Sequence, residues 1–92
     1  MQGKTSASQE VHISSLVVHC RPDSIDRVKT EIENIPEAEV PEYSDEGKLV
    51  VLLETSNEGR IMQRISTIEN LAGVISAALV YHQIDSETGE IT

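Results

Sequence analysis

His12, His19, His82 and Cys20 are the side chains of this sequence suited to nucleophilic or soft-metal chemistry. A cysteine nucleophile needs a base within hydrogen-bond reach, and His19 is the immediate neighbour of Cys20. Both fall in Val11–Cys20 (VHISSLVVHC), a β-branched run of strand length. Consecutive strand residues point to opposite faces, so these two cannot act as a pair. His19 and His82 are placed on one face by the strands read below, but antiparallel pairing sets them apart. Two histidines without a nearby third ligand make a poor zinc site. A lone cysteine forms no internal disulfide, which fits a reducing compartment. Neither a glycine-rich phosphate loop nor a nucleophile elbow occurs. The residues therefore predict no catalytic site, no metal and no cofactor, and point to a protein that binds rather than reacts.

The elements that would position a binding site follow from the hydrophobic pattern. After the first strand, Arg21-Pro22-Asp23 breaks the chain, and Asp23 is a suitable N-cap. Ile25, Val28, Ile32 and Ile35 then recur at helical spacing until Pro36. Ala38–Tyr43 (AEVPEY) contains Pro41, which cannot donate to a ladder and so belongs on an edge strand. Ser44-Asp45-Glu46-Gly47 is a turn, and Lys48–Glu54 (KLVVLLE) is apolar enough for a central strand. Ser56 or Asn57 can cap a second helix, with Ile61, Ile65 and Ile68 on one side and Gly73 at its end. Val74–Gln83 (VISAALVYHQ) is the last strand.

The order β-α-β-β-α-β, with right-handed crossovers, predicts an α+β ferredoxin-like domain. Its four-stranded antiparallel sheet has strand order 4-1-3-2 and carries both helices on one face. The domain should span residues 11–84, after a disordered lead-in at 1–10 and before an acidic flexible tail at 85–92. The longest apolar run, Leu49–Leu53, is too short to span a membrane. The polar first ten residues lack the apolar core of a secretory signal. A cytoplasmic protein is expected.

Composition narrows the partners. The 92 residues include 16 acids against 7 Lys and Arg, a net charge of −9, with no Phe or Trp and two Tyr. Nucleic-acid binders rely on cationic contacts to phosphate and on aromatic stacking, so nucleic acid is excluded. An acidic surface favours basic partners and disfavours anionic lipid.

Helices on one face leave the other open. Alternation assigns Ile13, Ser15, Val17, His19, Lys48, Val50, Leu52, Glu54, Val74, Ser76, Ala78, Val80 and His82 to that open face. Val17, Val50, Leu52, Ala78 and Val80 form an apolar centre inside a polar rim, the pattern of a protein- or peptide-binding surface. The predicted site is Ser15, Val17, His19, Val50, Leu52, Ala78, Val80 and His82. Burial of this face in a homodimer is the other reading. Between Lys29 and Lys48 no Lys or Arg occurs, while Glu31, Glu33, Glu37, Glu39, Glu42, Asp45 and Glu46 do. That stretch is either a solvated edge or a dock for a cationic segment, in which Glu37, Glu39 and Glu42 would receive arginines.

Three segments carry a family resemblance: Ser15-Leu16-Val17-Val18, Gly47-Lys48-Leu49-Val50-Val51, and Gly73-Val74 leading to Leu79-Val80-Tyr81-His82-Gln83. In order and spacing they resemble the NapD family over about Val11 to Gln83. The resemblance implies a ferredoxin-like cytoplasmic chaperone without catalytic activity. Its partner would be the twin-arginine signal peptide of the periplasmic nitrate reductase catalytic subunit precursor. Binding would delay export until the molybdenum cofactor is inserted. The family motif residues Ser15, Val17, Val80 and His82 fall on the predicted open face. The rival reading is a small-molecule-binding regulatory dimer of the ACT or Lrp-effector type, which shares the element order. Here Arg21-Pro22-Asp23 stands where such modules carry a glycine-rich ligand loop.

Overall fold

Strand β1 (Glu10–Cys20) alternates between buried and more exposed side chains along its length. His12, Ser14, Leu16, Val18 and Cys20 are buried, whereas Val11, Ile13, Ser15 and Val17 are half-buried and His19 is exposed. Such period-two burial belongs to a strand with packing partners on one face only. The structure, a computed structural model, describes residues 10–86. The expected lead-in and tail lie largely outside the described residues.

A single 3-10 turn, Pro22–Ser24, leads into α1 (Ile25–Glu33). There follow β2 (Ala38–Ser44), β3 (Lys48–Thr55), α2 (Glu58–Glu69) and β4 (Val74–Ser86). The sheet order is β2-β3-β1-β4, with every neighbouring pair antiparallel. Read from the other edge, this is the expected 4-1-3-2 ferredoxin-like arrangement.

The core is aliphatic and lies between the sheet and both helices. Ile25, Val28 and Ile32 of α1 and Ile61, Ile65 and Ile68 of α2 pack with Leu16, Val18, Leu49, Val51 and Leu53. Each fully buried side chain of this size contributes about 1.5–3 kcal/mol relative to exposure. Asn57 caps α2, its side chain accepting the Arg60 N–H at 3.0 Å. Asp23 does not cap α1, contrary to expectation. Pro22 instead starts the 3-10 turn, and the helix begins at Ile25 without a side-chain cap. Similarly, α2 ends at Glu69, and Gly73 serves the turn that follows, in which the Val74 N–H donates to the Leu71 carbonyl.

One backbone junction fixes the sheet's central end. Gly47, at φ +98°, turns the β2–β3 hairpin and accepts the Cys20 N–H at 2.7 Å. A Cβ there would collide with the Cys20 carbonyl oxygen. Gly47→Ala is therefore expected to cost at least about 2 kcal/mol, from the left-handed backbone and the collision together. Urea denaturation should show a lower midpoint at unchanged slope.

Candidate functional site

The sheet face opposite the helices is built from rows of side chains crossing all four strands, because directly paired residues share a face. In the central row Val17 lies between Val50 on β3 and Ala78 on β4, and Glu42 stands beyond Val50 on β2. In the next row Ser15 lies between Leu52 and Tyr81, with Glu39 beyond Leu52. Ile13 pairs with Glu54 and Gln83 at one end, and His19 pairs with Lys48 and Ser76 at the other. The Tyr81 hydroxyl donates to Gln83 Oε1 at 2.8 Å, and Ser76 Oγ lies 3.4 Å from His19 Nδ1.

The face is thus graded. Carboxylates line β2 and the end of β3, half-buried aliphatics run along β3 and β1, and small or amphipathic groups occupy β4. Val11, Ile13, Val17, Val50 and Leu52 are half-buried, so covering each would yield on the order of 1 kcal/mol. At the Ile13 end the face deepens into a groove of about 610 Å³. Val11, Ile13 and Leu52 line it, Glu39 and Glu54 flank it, and Pro36, Glu37 and Ser56 close its side. This arrangement offers adhesion to an apolar segment and charge to a cation beside it.

A family model described as NapD protein matches residues 11–86. The chain belongs to the NapD family. It is 35% identical over 82 residues to chaperone NapD of Escherichia coli K12, covering 87% of this chain and 92% of that one. Identity to chaperone NapD of Paracoccus pantotrophus is 36% over 84 residues, covering 90% and 73%. The solution structure of the E. coli Tat proofreading chaperone protein NapD matches with a TM-score of 0.74 at 32% identity. That match covers 89% of this chain and 86% of the other. Membership supports a chaperone role and decides for the NapD resemblance against the ACT or Lrp-effector alternative. The matched relatives are named as chaperones, not as enzymes.

Against this NapD-family fold, the expected site residues divide. Ser15, Val17, His19, Val50, Leu52 and Ala78 all stand on the open face. His82 does not. It pairs with Ser14 on the helix-facing side, where its Nε2 lies 3.0 Å from Nδ1 of buried His12, the rings stacked at 5.3 Å. The cause is the register irregularity between β1 and β4 at Ser15/Leu16; a second, at His19/Cys20, turns Val74, also expected on the open face, to the core side beside Cys20. They leave Ile75 and Val80 as extra residues, and an extra residue reverses the alternation beyond it. Val80 belongs to no cross-strand pair, though it is exposed, and Tyr81 takes the open face in place of His82. Simple alternation misplaced Tyr81, since no Gly or Pro marks the irregularity, whereas Ile13 and Glu54 follow it.

The acids divide as well. Glu39 and Glu42 are exposed on the open face. Glu37 is already engaged, one carboxylate oxygen accepting from Arg60 Nε at 2.9 Å and the other from Arg64 Nε at 2.8 Å. One carboxylate between two guanidiniums leaves a local positive excess, so Glu37 is occupied by the chain's own arginines. Its work is to tie the α1–β2 connection to α2. Cys20 is also structural. Its thiol is buried, and burial raises its pKa against a smaller opposing effect of Arg27, which keeps it protonated and unreactive. Among the described residues, no group of three or more potential ligands gathers to hold a metal. No described helix is long and apolar enough to cross a membrane.

The hydrogen bond from Arg60, reinforced by Arg64, lowers the Glu37 pKa despite partial burial. A lowered folded value means stability fully present above the ordinary glutamate value of about 4.3 and lost as pH falls below it. Glu37→Gln should cost about 1 kcal/mol at pH 7, because the partners are partly exposed. It should also flatten the stability profile below pH ~4, measured by denaturation across pH.

Proposed function

We propose that this chain binds the twin-arginine signal peptide of the periplasmic nitrate reductase catalytic subunit precursor on its open sheet face. In this reading the chain acts in the cytoplasm and delays export until the cofactor is inserted. The observation that carries it is the grading of that face: an aliphatic strip over Val17, Val50, Leu52 and Ile13, edged by Glu39, Glu42 and Glu54. A signal peptide has the complementary layout, arginines followed by an apolar run. Laid with its apolar run on the strip, it would bring its arginines to the acid-flanked groove at the Ile13 end of the face. The word proofreading in the name of the E. coli relative supports the same reading. Binding of this kind needs no chemistry in the chaperone. It is a reversible mask whose lifetime sets the delay.

Calorimetric titration tests the reading with three ligands: the twin-arginine peptide, the same peptide with Lys-Gln in place of Arg-Arg, and free amino acids. Heat at micromolar concentrations is expected from the first, less from the second and none from the third. Silence with the first peptide sinks the proposal. Val17→Glu puts a charge at the centre of the strip and should abolish binding while circular dichroism remains that of the folded protein. The double variant Glu39→Gln, Glu54→Gln should weaken the twin-arginine peptide about tenfold, as two exposed ion pairs allow. Association should slow as salt screens these acids. If the double variant binds at full strength and rate, the groove is not where the arginines go.

A further inference from the structure

Strand β4 forms one edge of the sheet and is paired to β1 alone. An edge exposes unpaired N–H and C=O groups, and folded proteins blunt it with proline, charge, short length or bulges. The opposite edge uses several of these: β2 has 7 residues, contains Pro41, carries Glu39 and Glu42, and breaks register between them. The β4 strand also breaks register against β1, at Ile75 and Val80, but it has 13 residues, and from Val74 to Gln83 it contains no Asp, Glu, Lys, Arg or Pro. It also carries most of the exposed large hydrophobics: Ile75, Leu79, Val80 and Tyr81 are 70%, 43%, 57% and 55% exposed.

We propose that β4 pairs antiparallel with the β4 of a second copy of this chain, about a twofold axis perpendicular to the sheet. Charge selects this occupant. Two copies at −9 each repel wherever their acids meet, and an uncharged edge lets them approach at least electrostatic cost. A basic peptide finds its counter-charges on the other edge of the sheet, not here. Antiparallel strand pairing is self-complementary, as an isologous contact requires. The axis keeps both open faces on the same side, so the pair presents one continuous eight-stranded surface with a complete site in each half. The contact is narrow, one edge and its flanking side chains, and so belongs to the weak, reversible class.

Light scattering across a concentration series reads the pairing. The mass should rise from 10.1 kDa toward twice that value between about 10 µM and 1 mM, as a small interface implies. Added salt should shift the rise to lower concentration by screening mutual repulsion, the reverse of its effect on a cationic peptide. Amides of Val74–Gln83 should exchange more slowly at high concentration. Ile75 is too exposed to matter to folding, and Ile75→Lys should hold the protein at 10.1 kDa throughout. A constant monomer mass in the native protein overturns the proposal. So does a dimer indifferent to Ile75→Lys, with unchanged β4 exchange, since it would be joined elsewhere.

Discussion

Strand β1 is hydrogen-bonded on both sides, to β3 and to β4, and every row of the sheet passes through it. Its two faces therefore serve two ends that cannot be separated. Leu16, Val18 and Cys20 anchor the core, and the residues between them, Ser15, Val17 and His19, form the middle of the open face. A slip of one residue would exchange these sets. The register is held from outside the strand: the Cys20 N–H is bound by Gly47 and the Arg21 N–H by Gly73, at 2.7 and 2.9 Å. Two turns with positive φ thus clamp the end of the strand whose alternation defines the site. Stability and the layout of the open face share one constraint.

Much of this was legible in the residues because the relevant patterns are local. The stripe Ile25, Val28, Ile32, Ile35 and the repeat Ile61, Ile65, Ile68 each specify a helix with one buried side. Pro41 marks the edge, and the apolar run of β3 marks the centre. What could not be read was the phase of β4 beyond its irregularities. Leu79-Val80-Tyr81 reads as unbroken strand, and the extra residue there is imposed by how β4 must bend along β1. His82 and Tyr81 exchanged faces on that account alone. The partly buried contact of His82 with His12 joins residues 70 apart in the chain. No local pattern foretells such a pair.

Electrostatics were legible in number but not in assignment. The run of carboxylates from Glu31 to Glu46 contains groups of opposite use. Glu31 and Glu33 lie one turn beyond Arg27 and Lys29 on α1 and pair with them at 3.4 and 3.1 Å, exposed contacts of small net worth. Glu37 holds two arginines of α2 and is a structural tie. Glu39 and Glu42 are left on the open face because β2 turns them there, with Val40 directed into the core between them. The arginines that decide this, Arg60 and Arg64, lie more than twenty residues further along the chain. Charge counting alone cannot separate a spent carboxylate from an available one.

An open apolar sheet face is ordinarily an aggregation hazard, and its containment here follows from where charge is placed. The strip over β1 and β3 is flanked by Glu39, Glu42 and Glu54, so a second acidic copy stacking face to face would bring like charges together around a desolvated centre. Like-charge juxtaposition of that kind disfavours a wrong partner by more than it weakens a cationic one. In the proposed function the same carboxylates act twice, repelling copies of the chain and attracting a basic segment. Neutralising them would not merely weaken a cationic ligand. It would remove the reason the face stays available to one.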